Sequence, residues 1–238
     1  YGIKPSNFRE KVANLTNPHV LGNYQGETLH SNWVTSVDVL AARKGYLPPN
    51  SIFNLAAKGV VVTKDNQIPV GVRGGAITPE RIEIFASGLY DTPPGGSVKF
   101  KAQYHVDPLT DTVTDEFHEE LGDFEITDQE TIGVYEAFKP GPIGIKFVNR
   151  VSTDAKIRQI QEVNLDANKL YFDLLRKGAT KKEAAQELEE RNLPPDAWEH
   201  SVIIGIPNHP EAIKRLVETQ PMSGIGAGSL LLYALTIS

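Results

Sequence analysis

The densest group of potential cation ligands in the sequence is the acidic segment 107–130. It contains one histidine, His118, and neither lysine nor arginine. Its ten carboxylates are Asp107, Asp111, Asp115, Glu116, Glu119, Glu120, Asp123, Glu125, Asp128 and Glu130. Hard divalent cations such as Ca²⁺ need several oxygen ligands around one point, and this segment could supply them. The sequence therefore makes Asp115, Glu119 and Asp123 candidate metal ligands.

Two other interpretations of the acidic segment stay open. Its spacing does not match the twelve-residue calcium loop, because no glycine occupies the sharp-turn position counted from Asp111 or Asp115. His118-Glu119 also lacks the second histidine of a zinc-binding helix. The segment could instead be a solvated acidic hairpin or loop, or it could dock basic residues of a neighbouring copy. We expect the solvated loop and no cofactor, with a divalent cation as the alternative.

Other patterns that often carry chemistry are incomplete in this chain. The glycine cluster Ser223–Ser229 lacks the lysine of a phosphate-binding loop and the third glycine of a dinucleotide fold, so it predicts a flexible turn. The six histidines show no pair at metal-ligand spacing, and no Gly-x-Ser-x-Gly nucleophile elbow occurs. If the chain is an enzyme, the candidate residues lining its pocket are His105, His118, Trp33 and Trp198, together with the acidic segment.

Composition excludes several classes of function. The net charge of -6 and the absence of a Lys/Arg-dense segment argue against contact with nucleic acid or a membrane surface. The chain has no cysteine, which removes disulfides, thiolate zinc sites and cysteine nucleophiles. Tyr1 in place of methionine suggests a processed or trimmed chain, and the localisation stays unknown, with a virion or the extracellular space as possibilities.

The clearest element in the sequence is a long helix, which must position its neighbours. Over Ser152–Gly178 apolar residues recur every three or four positions, and Ser152 or Thr153 could cap the start. A second helix follows, with Thr180 and Glu183 as a capping box, and a third is predicted over Pro210–Thr219. The spacing from Trp33 to Ala41 predicts one more helix near the beginning of the chain.

Strand-like patterns fill the region before the long helix and return after it. The predicted strands are Ser51–Ala57, Lys58–Lys64, Gln67–Arg73, Arg81–Ser87, Ser97–His105, Asp123–Thr127, Thr131–Phe138, Ile143–Val151, Ser201–Ile206 and Leu230–Ile237. We therefore predict an α+β fold with an antiparallel β-rich region, forming a sandwich, barrel or large meander. Its parts would be an arm with one short helix (1–50), the β-rich region (51–151) and the long helix with a smaller α/β closure (152–238). Because no flexible linker separates these parts, we expect one continuous structural unit.

These features favour a structural function over catalysis. An irregular arm, many short strands and an apolar terminal strand that needs cover predict a self-assembling subunit, such as a virion coat, phage tail or similar protein. The predicted partners are copies of the same chain, bound through the N-terminal arm and the C-terminal strand into a homo-oligomer. The alternative is a β-rich enzyme or ligand-binding domain with its site in long loops, using a divalent cation held by residues 107–130.

Overall fold

The computed structural model describes residues 11–15, 31–35, 38–39, 41, 46–48, 52–74, 88–101, 103, 105, 107–137 and 144–238. The β-strands are β1 (Lys11–Leu15), β2 (Ser31–Thr35), β3 (Asn54–Val62), β4 (Gln67–Arg73), β5 (Tyr90–Asp91), β6 (Gly95–Ser97), β7 (Ile126–Ala137), β8 (Gly144–Thr153) and β9 (His200–Pro207). The α-helices are α1 (Pro108–Leu121), α2 (Ile157–Arg176), α3 (Lys181–Glu190), α4 (Pro210–Thr219) and α5 (Gly224–Thr236), and Ala197–Glu199 forms a turn of 3-10 helix.

The described strands form two sheets. One has the order β2-β1-β3-β8-β7, with β6 also paired to β3, and the other has the order β5-β4-β9. Most pairs are antiparallel, but β3 and β8 lie parallel over their whole lengths. The α+β class is therefore confirmed, while the β-rich region is mixed rather than purely antiparallel. Whether it is best described as a sandwich, barrel or meander stays a prediction, as do the domain bounds.

Strand β3 is the centre of the fold because both of its faces are buried. Ala57 and Val61 point to one side and pack with α1, α2 and β9. Val60 points to the other side and packs with β4, β8, α4 and α5. The sequence predicts two strands, Ser51–Ala57 and Lys58–Lys64, with a break between them. The structure instead has one continuous strand, whose polar residue Lys58 is buried in an ion pair.

The acidic segment begins with a helix rather than a solvated loop. Asp107 caps α1 by accepting hydrogen bonds from the backbone N–H groups of Leu109 (2.8 Å) and Thr110 (3.0 Å), and Pro108 occupies the first turn. Val113, Phe117 and Leu121 recur at four-residue intervals and are fully buried against β3 and α2. This apolar stripe anchors α1 in the core, and the helix carries Glu116 and Glu120 into buried positions with it.

The long helix and its successors agree well with their sequence patterns. Helix α2 spans Ile157–Arg176, although Ser152 and Thr153 belong to strand β8 and do not cap it. The N–H of Ile157 is instead bound by Asp65 Oδ1 at 3.0 Å. Thr180 caps α3 in the expected capping box, and α4 covers Pro210–Thr219 as predicted.

One prediction from apolar spacing was wrong, and a second was right only in part. Residues Leu230–Thr236, predicted as a strand, are helical and belong to α5, whose start is capped by the Ser223 hydroxyl, so the glycine cluster is the first part of a helix. A short, nearly continuous apolar run has no period that separates helix from strand. Trp33, the predicted start of the first helix, lies in strand β2, whereas the described residues Asp38, Val39 and Ala41 of the same stretch are helical.

The remaining sequence predictions have mixed outcomes. Strand β7 begins at Ile126 and replaces both Asp123–Thr127 and Thr131–Phe138, while most of Ser97–His105 lies outside the strands. The predicted strand Arg81–Ser87 and most of the N-terminal arm lie outside the described residues. In the part of the chain that is described, no helix has the length and apolar character required to cross a bilayer.

Candidate functional site

A chain of buried charged residues crosses the interior at the ends of several strands. Lys58 on β3 lies 3.3 Å from Asp91 on β5, measured from Nζ to Oδ1, and both side chains are at most 5% exposed. The Arg73 guanidinium at the end of β4 donates to Asp91 Oδ2 and to Glu199 Oε2, both at 2.8 Å. The Lys58–Asp91 pair ties the two sheets together, since β3 belongs to one and β5 to the other, whereas Arg73 links strands β4 and β5 of the second sheet to the 3-10 turn.

Helix α1 presents three glutamates to this region. Glu116, Glu119 and Glu120 are spaced i, i+3 and i+4, which places them on one side of the helix. Glu116 and Glu120 are buried, and Glu119 is partly exposed. Glu116 Oε1 lies 3.4 Å from Lys99 Nζ, and the N–H of Gly95 donates to Glu120 Oε1 at 3.0 Å.

Glu120 also contacts the one buried histidine among the described residues. His200 Nε2 lies 2.9 Å from Glu120 Oε2, and the histidine ring is fully buried. Burial, together with the nearby charges of Lys58 and Arg73, lowers the pKa of His200 to about 4. Although the pair has the geometry of a salt bridge, the histidine is neutral at pH 7, so the contact is a hydrogen bond.

The electrostatics of the site show an excess of negative charge on α1. Burial raises the pKa of Glu116 to about 7, and repulsion from Glu120 adds to this effect. Burial likewise raises the pKa of Glu119 to about 7, with Glu116 and Asp196 adding to it. The pKa of Glu120 rises to about 7 because its burial outweighs the attraction of Lys58.

Asp91 behaves in the opposite way to the glutamates of α1. Its burial alone would raise its pKa, but Lys58 and Arg73 outweigh that effect and lower the pKa to about 2. Glu199 shares Arg73 with Asp91, yet burial still raises its pKa, and Glu120 adds to the shift. Lys58 and Arg73 are therefore committed to Asp91 and Glu199, which leaves the glutamates of α1 undercompensated.

The donor set of α1 suits a hard divalent cation in its chemistry. All three side chains offer carboxylate oxygens, which Mg²⁺, Mn²⁺ and Ca²⁺ prefer, and their raised pKa values mark negative charge without an adequate partner. As placed, however, no three His, Cys, Asp or Glu side chains in the described ranges converge as closely as ligands of one ion. Both oxygens of Glu120 are hydrogen-bonded, and a cation at Glu116 would compete with Lys99.

The three metal ligands predicted from sequence do not form one group. Glu119 belongs to the cluster on α1. Asp115 lies one turn earlier on the same helix, is ion-paired with Lys101, and is 43% exposed at its side chain. Asp123 lies beyond the end of the helix and is 87% exposed, 3.7 Å from His118 Nδ1. Geometry thus favours Glu116 and Glu120 over Asp115 and Asp123 as companions of Glu119.

The other predicted pocket residues are dispersed. Trp33 packs edge-on against Phe100, with ring centroids 5.2 Å apart, and Trp198 stacks on Tyr171 at 5.8 Å. His118 lies at the end of α1, where Nδ1 is 3.3 Å from the carbonyl of Gly122. The described contacts of these residues do not bring them together at one site.

Comparison with known proteins gives matches only at the level of solved structures. No family model and no curated protein matches the chain. A protein from Deinococcus radiodurans is 13% identical, with 93% of this chain and 97% of that one covered and a TM-score of 0.48. A MutT Nudix hydrolase from Burkholderia pseudomallei is 14% identical over 77% and 97%, with a TM-score of 0.43. The Nudix domain of Shewanella oneidensis NrtR, solved with ADP ribose, is 11% identical over 86% and 100%, with a TM-score of 0.45.

These findings correct the function predicted from sequence. The expectation of a structural, self-assembling virion, coat or tail subunit is wrong: the solved structures similar to this chain include Nudix hydrolases. The C-terminal strand on which self-assembly partly depended is helix α5. At these identities and TM-scores the likeness assigns no residue a role, so the roles of individual residues rest on the site itself.

Sequence reasoning missed Glu116, Glu120, Lys58, Arg73 and His200. A signal for the first two was present, since Asp107-Pro108 and Gly122 bound a helix on which the three glutamates share one side. The other three had no local signal. Lys58 and Asp91 are 33 positions apart, and Glu120 and His200 are 80 apart, so only the fold brings each pair together.

Proposed function

We propose that this chain is a hydrolase that uses a divalent cation bound through Glu116, Glu119 and Glu120. One observation carries the proposal: three carboxylates share one side of α1, two of them buried and Glu119 partly exposed, and burial raises the pKa of each to about 7. A buried excess of negative charge destabilises a fold unless a cation offsets it. Such an arrangement is typical of functional sites rather than of a solvated acidic surface.

The chemistry of the ligands points to a phosphate-containing substrate. Mg²⁺ in proteins is usually held by a few carboxylates and completes its coordination with water and substrate phosphates. A site made only of glutamates on one helix leaves such positions for a substrate. A cation bound there would act as a Lewis acid toward a phosphoryl oxygen.

The residues at and around the three glutamates would have separate roles. Glu119 is the most exposed of the three, so among the proposed ligands it lies nearest the solvent from which water and substrate would enter. Lys58 and Arg73 are already paired with Asp91, so we assign them to holding the sheets around the site. Lys99 would leave Glu116 when a cation binds and could then face a substrate anion.

Cation-dependent phosphate release tests this proposal. The purified chain would be assayed with Mg²⁺ or Mn²⁺ against phosphate monoesters, phosphodiesters and pyrophosphate-containing compounds. We expect hydrolysis of at least one class, loss of activity in excess EDTA, and a rate lowered by about 100-fold or more in Glu120→Gln. Glu162→Gln, an exposed change on α2, is the matched control and should leave the rate unchanged. Absence of hydrolysis, or hydrolysis that EDTA does not affect, would contradict the proposal.

A further inference from the structure

The contacts of His200 indicate that its role differs from the roles of the surrounding residues. His200 is fully buried, 80 positions from Glu120 in sequence, and its Nε2 faces Glu120 Oε2 at 2.9 Å. The other oxygen of Glu120 accepts the N–H of Gly95. Both oxygens of this carboxylate are thus held, whereas the neighbouring Glu119 is partly exposed.

A hydrogen lies on the His200 nitrogen that faces Glu120. Nδ1 of His200 is buried and has no hydrogen-bond partner among the described residues. An N–H at that position would be orphaned, which is unfavourable in the interior, so the single hydrogen belongs on Nε2. Glu120 Oε2 accepts this hydrogen, and the two groups therefore match as donor and acceptor.

The ring has little freedom to turn away from Glu120. A Cβ atom placed on Gly71 would overlap the His200 ring, so the ring lies directly against the backbone of β4. Strand β4, against which the ring packs, is hydrogen-bonded to β9 along its length. The absence of a side chain at Gly71 is what makes room for the imidazole.

The backbone of His200 is fixed separately by helix α2. Asn164 Nδ2 donates to the carbonyls of Ala197 and His200 at 3.1 and 3.2 Å, and Asn168 Nδ2 donates to the same carbonyls at 3.2 and 3.1 Å. Both asparagines are buried. Two side chains one turn apart thus clamp the junction between the 3-10 turn and β9, immediately beside the imidazole.

We propose that His200 is a positioning residue that holds Glu120 in the orientation needed to bind a divalent cation, with Asn164 and Asn168 fixing His200 in turn. The inference rests on the proposed function, because it assigns Glu120 to the cation. Hydrogen-bonded partners of metal-binding side chains commonly change metal affinity by about 10- to 100-fold when they are replaced. His200 would act entirely through Glu120 and would touch neither cation nor substrate.

Two amide substitutions that differ by one methylene test the contact. In His200→Gln the amide nitrogen reaches the position of Nε2, while in His200→Asn it falls short. Calorimetric titration with Mn²⁺ should show affinity within about threefold of wild type for His200→Gln and a loss of about tenfold or more for His200→Asn. Equal affinities in the two variants would overturn the inference. Thermal melts in EDTA establish that both variants are folded.

A second measurement needs no cation at all. Urea midpoints in EDTA would be compared for His200→Asn, Glu120→Met and the double variant. Directly coupled side chains give non-additive changes, so the double variant should differ from the sum of the two single effects. If the changes in urea midpoint are additive, the His200–Glu120 contact is contradicted, but the proposed function is not. Failure of the wild-type chain to bind Mn²⁺ would contradict the proposed function, so the two failures are distinguishable.

Discussion

Gly96 on β6 and Glu116 on α1 are in direct contact: a Cβ atom placed on Gly96 would overlap Glu116 Oε1. The overlapping atom is the end of a flexible side chain, so an alanine would displace the carboxylate rather than the backbone. Strand β6 therefore limits the space available to the Glu116 side chain. This contact turns the glycine into a probe of the proposed cation site.

Gly96→Ala should weaken cation binding with little change in stability. Displacing Glu116 removes one ligand from its place, and we expect Mn²⁺ affinity in calorimetric titrations to fall by about tenfold. The urea midpoint in EDTA should stay near that of wild type, because Glu116 can move toward Lys99. Gly224→Ala is the control, since a Cβ atom there would have nothing within 4 Å. Equal affinity in both variants would argue against Glu116 as a ligand.

In EDTA, the free energy of unfolding should fall as pH rises from about 5 to about 7.5. The pKa of each of Glu116, Glu119 and Glu120 rises from its ordinary value of 4.5 to about 7 in the fold, so between these values the native state holds more protons. His200 acts in the opposite direction, because its pKa falls from 6.5 to about 4 and its contribution is lost as pH falls through that range. Three carboxylates outweigh one histidine.

Urea unfolding at half-unit pH steps measures this slope. Glu119→Gln should make it shallower, because one of the groups with a raised pKa is removed. Saturating Mn²⁺ should flatten or reverse it, since the cation binds the deprotonated carboxylates. A midpoint in EDTA that increases steadily from pH 5 to pH 7.5 would be incompatible with the raised pKa values.

Arg73→Met should destabilise the protein strongly. The substitution leaves Asp91 with Lys58 as its remaining ion-pair partner and removes the described ion pair of Glu199. Removing one partner of a buried ion pair costs about 3–5 kcal/mol, and we expect about 2–4 kcal/mol because Arg73 is 24% exposed. Urea unfolding measures the loss. Arg158→Met, which removes an exposed pair with Glu162, should show no measurable change, and an equally small effect at Arg73 would contradict the assigned role.

The clamp formed by α2 gives a further test. Replacing both Asn164 and Asn168 with alanine removes these donors from the carbonyl of His200, which costs about 1–3 kcal/mol if the carbonyl is left unsatisfied, while the carbonyl of Ala197 keeps the N–H of His200. Mn²⁺ affinity should also fall if the clamp fixes His200 and through it Glu120. Thr180→Ala is the control, because loss of its capping box costs about 1 kcal/mol at a distant helix without touching His200. Unchanged Mn²⁺ affinity in the variant lacking both asparagines would show that they stabilise the fold without fixing Glu120, and would contradict their assigned role.

Local patterns in the sequence are sufficient to predict some elements of this fold. Helix α2 and the capping box of α3 depend on neighbours within one or two turns, and both agree with the structure. The acidic helix α1 was missed because ten carboxylates obscured the four-residue spacing of Val113, Phe117 and Leu121. The terminal helix α5 was mistaken for a strand because a short apolar run has no distinguishing period.

The candidate site is less predictable than the fold because it is made of distant pairs. In sequence Lys58 is the first residue of a predicted strand, and only its contact with Asp91 explains its burial inside β3. The sequence groups Asp115 and Asp123 with Glu119 as candidate ligands. In the structure α1 ends before Asp123 and Asp115 is partly exposed, so Glu116 and Glu120 are the better companions of Glu119. Nothing near His200 in sequence indicates that a glutamate of another helix lies against it.

Titration of the wild-type chain with Mn²⁺, beside a variant with glutamine at positions 116, 119 and 120, tests the central claim most directly. The variant should remain folded, because three carboxamides remove the buried repulsion. We predict saturable heat of binding for the wild-type chain at pH 7.5, and none for the variant. Binding that survives in the variant, or its absence from the wild-type chain, would contradict a divalent-cation site on α1.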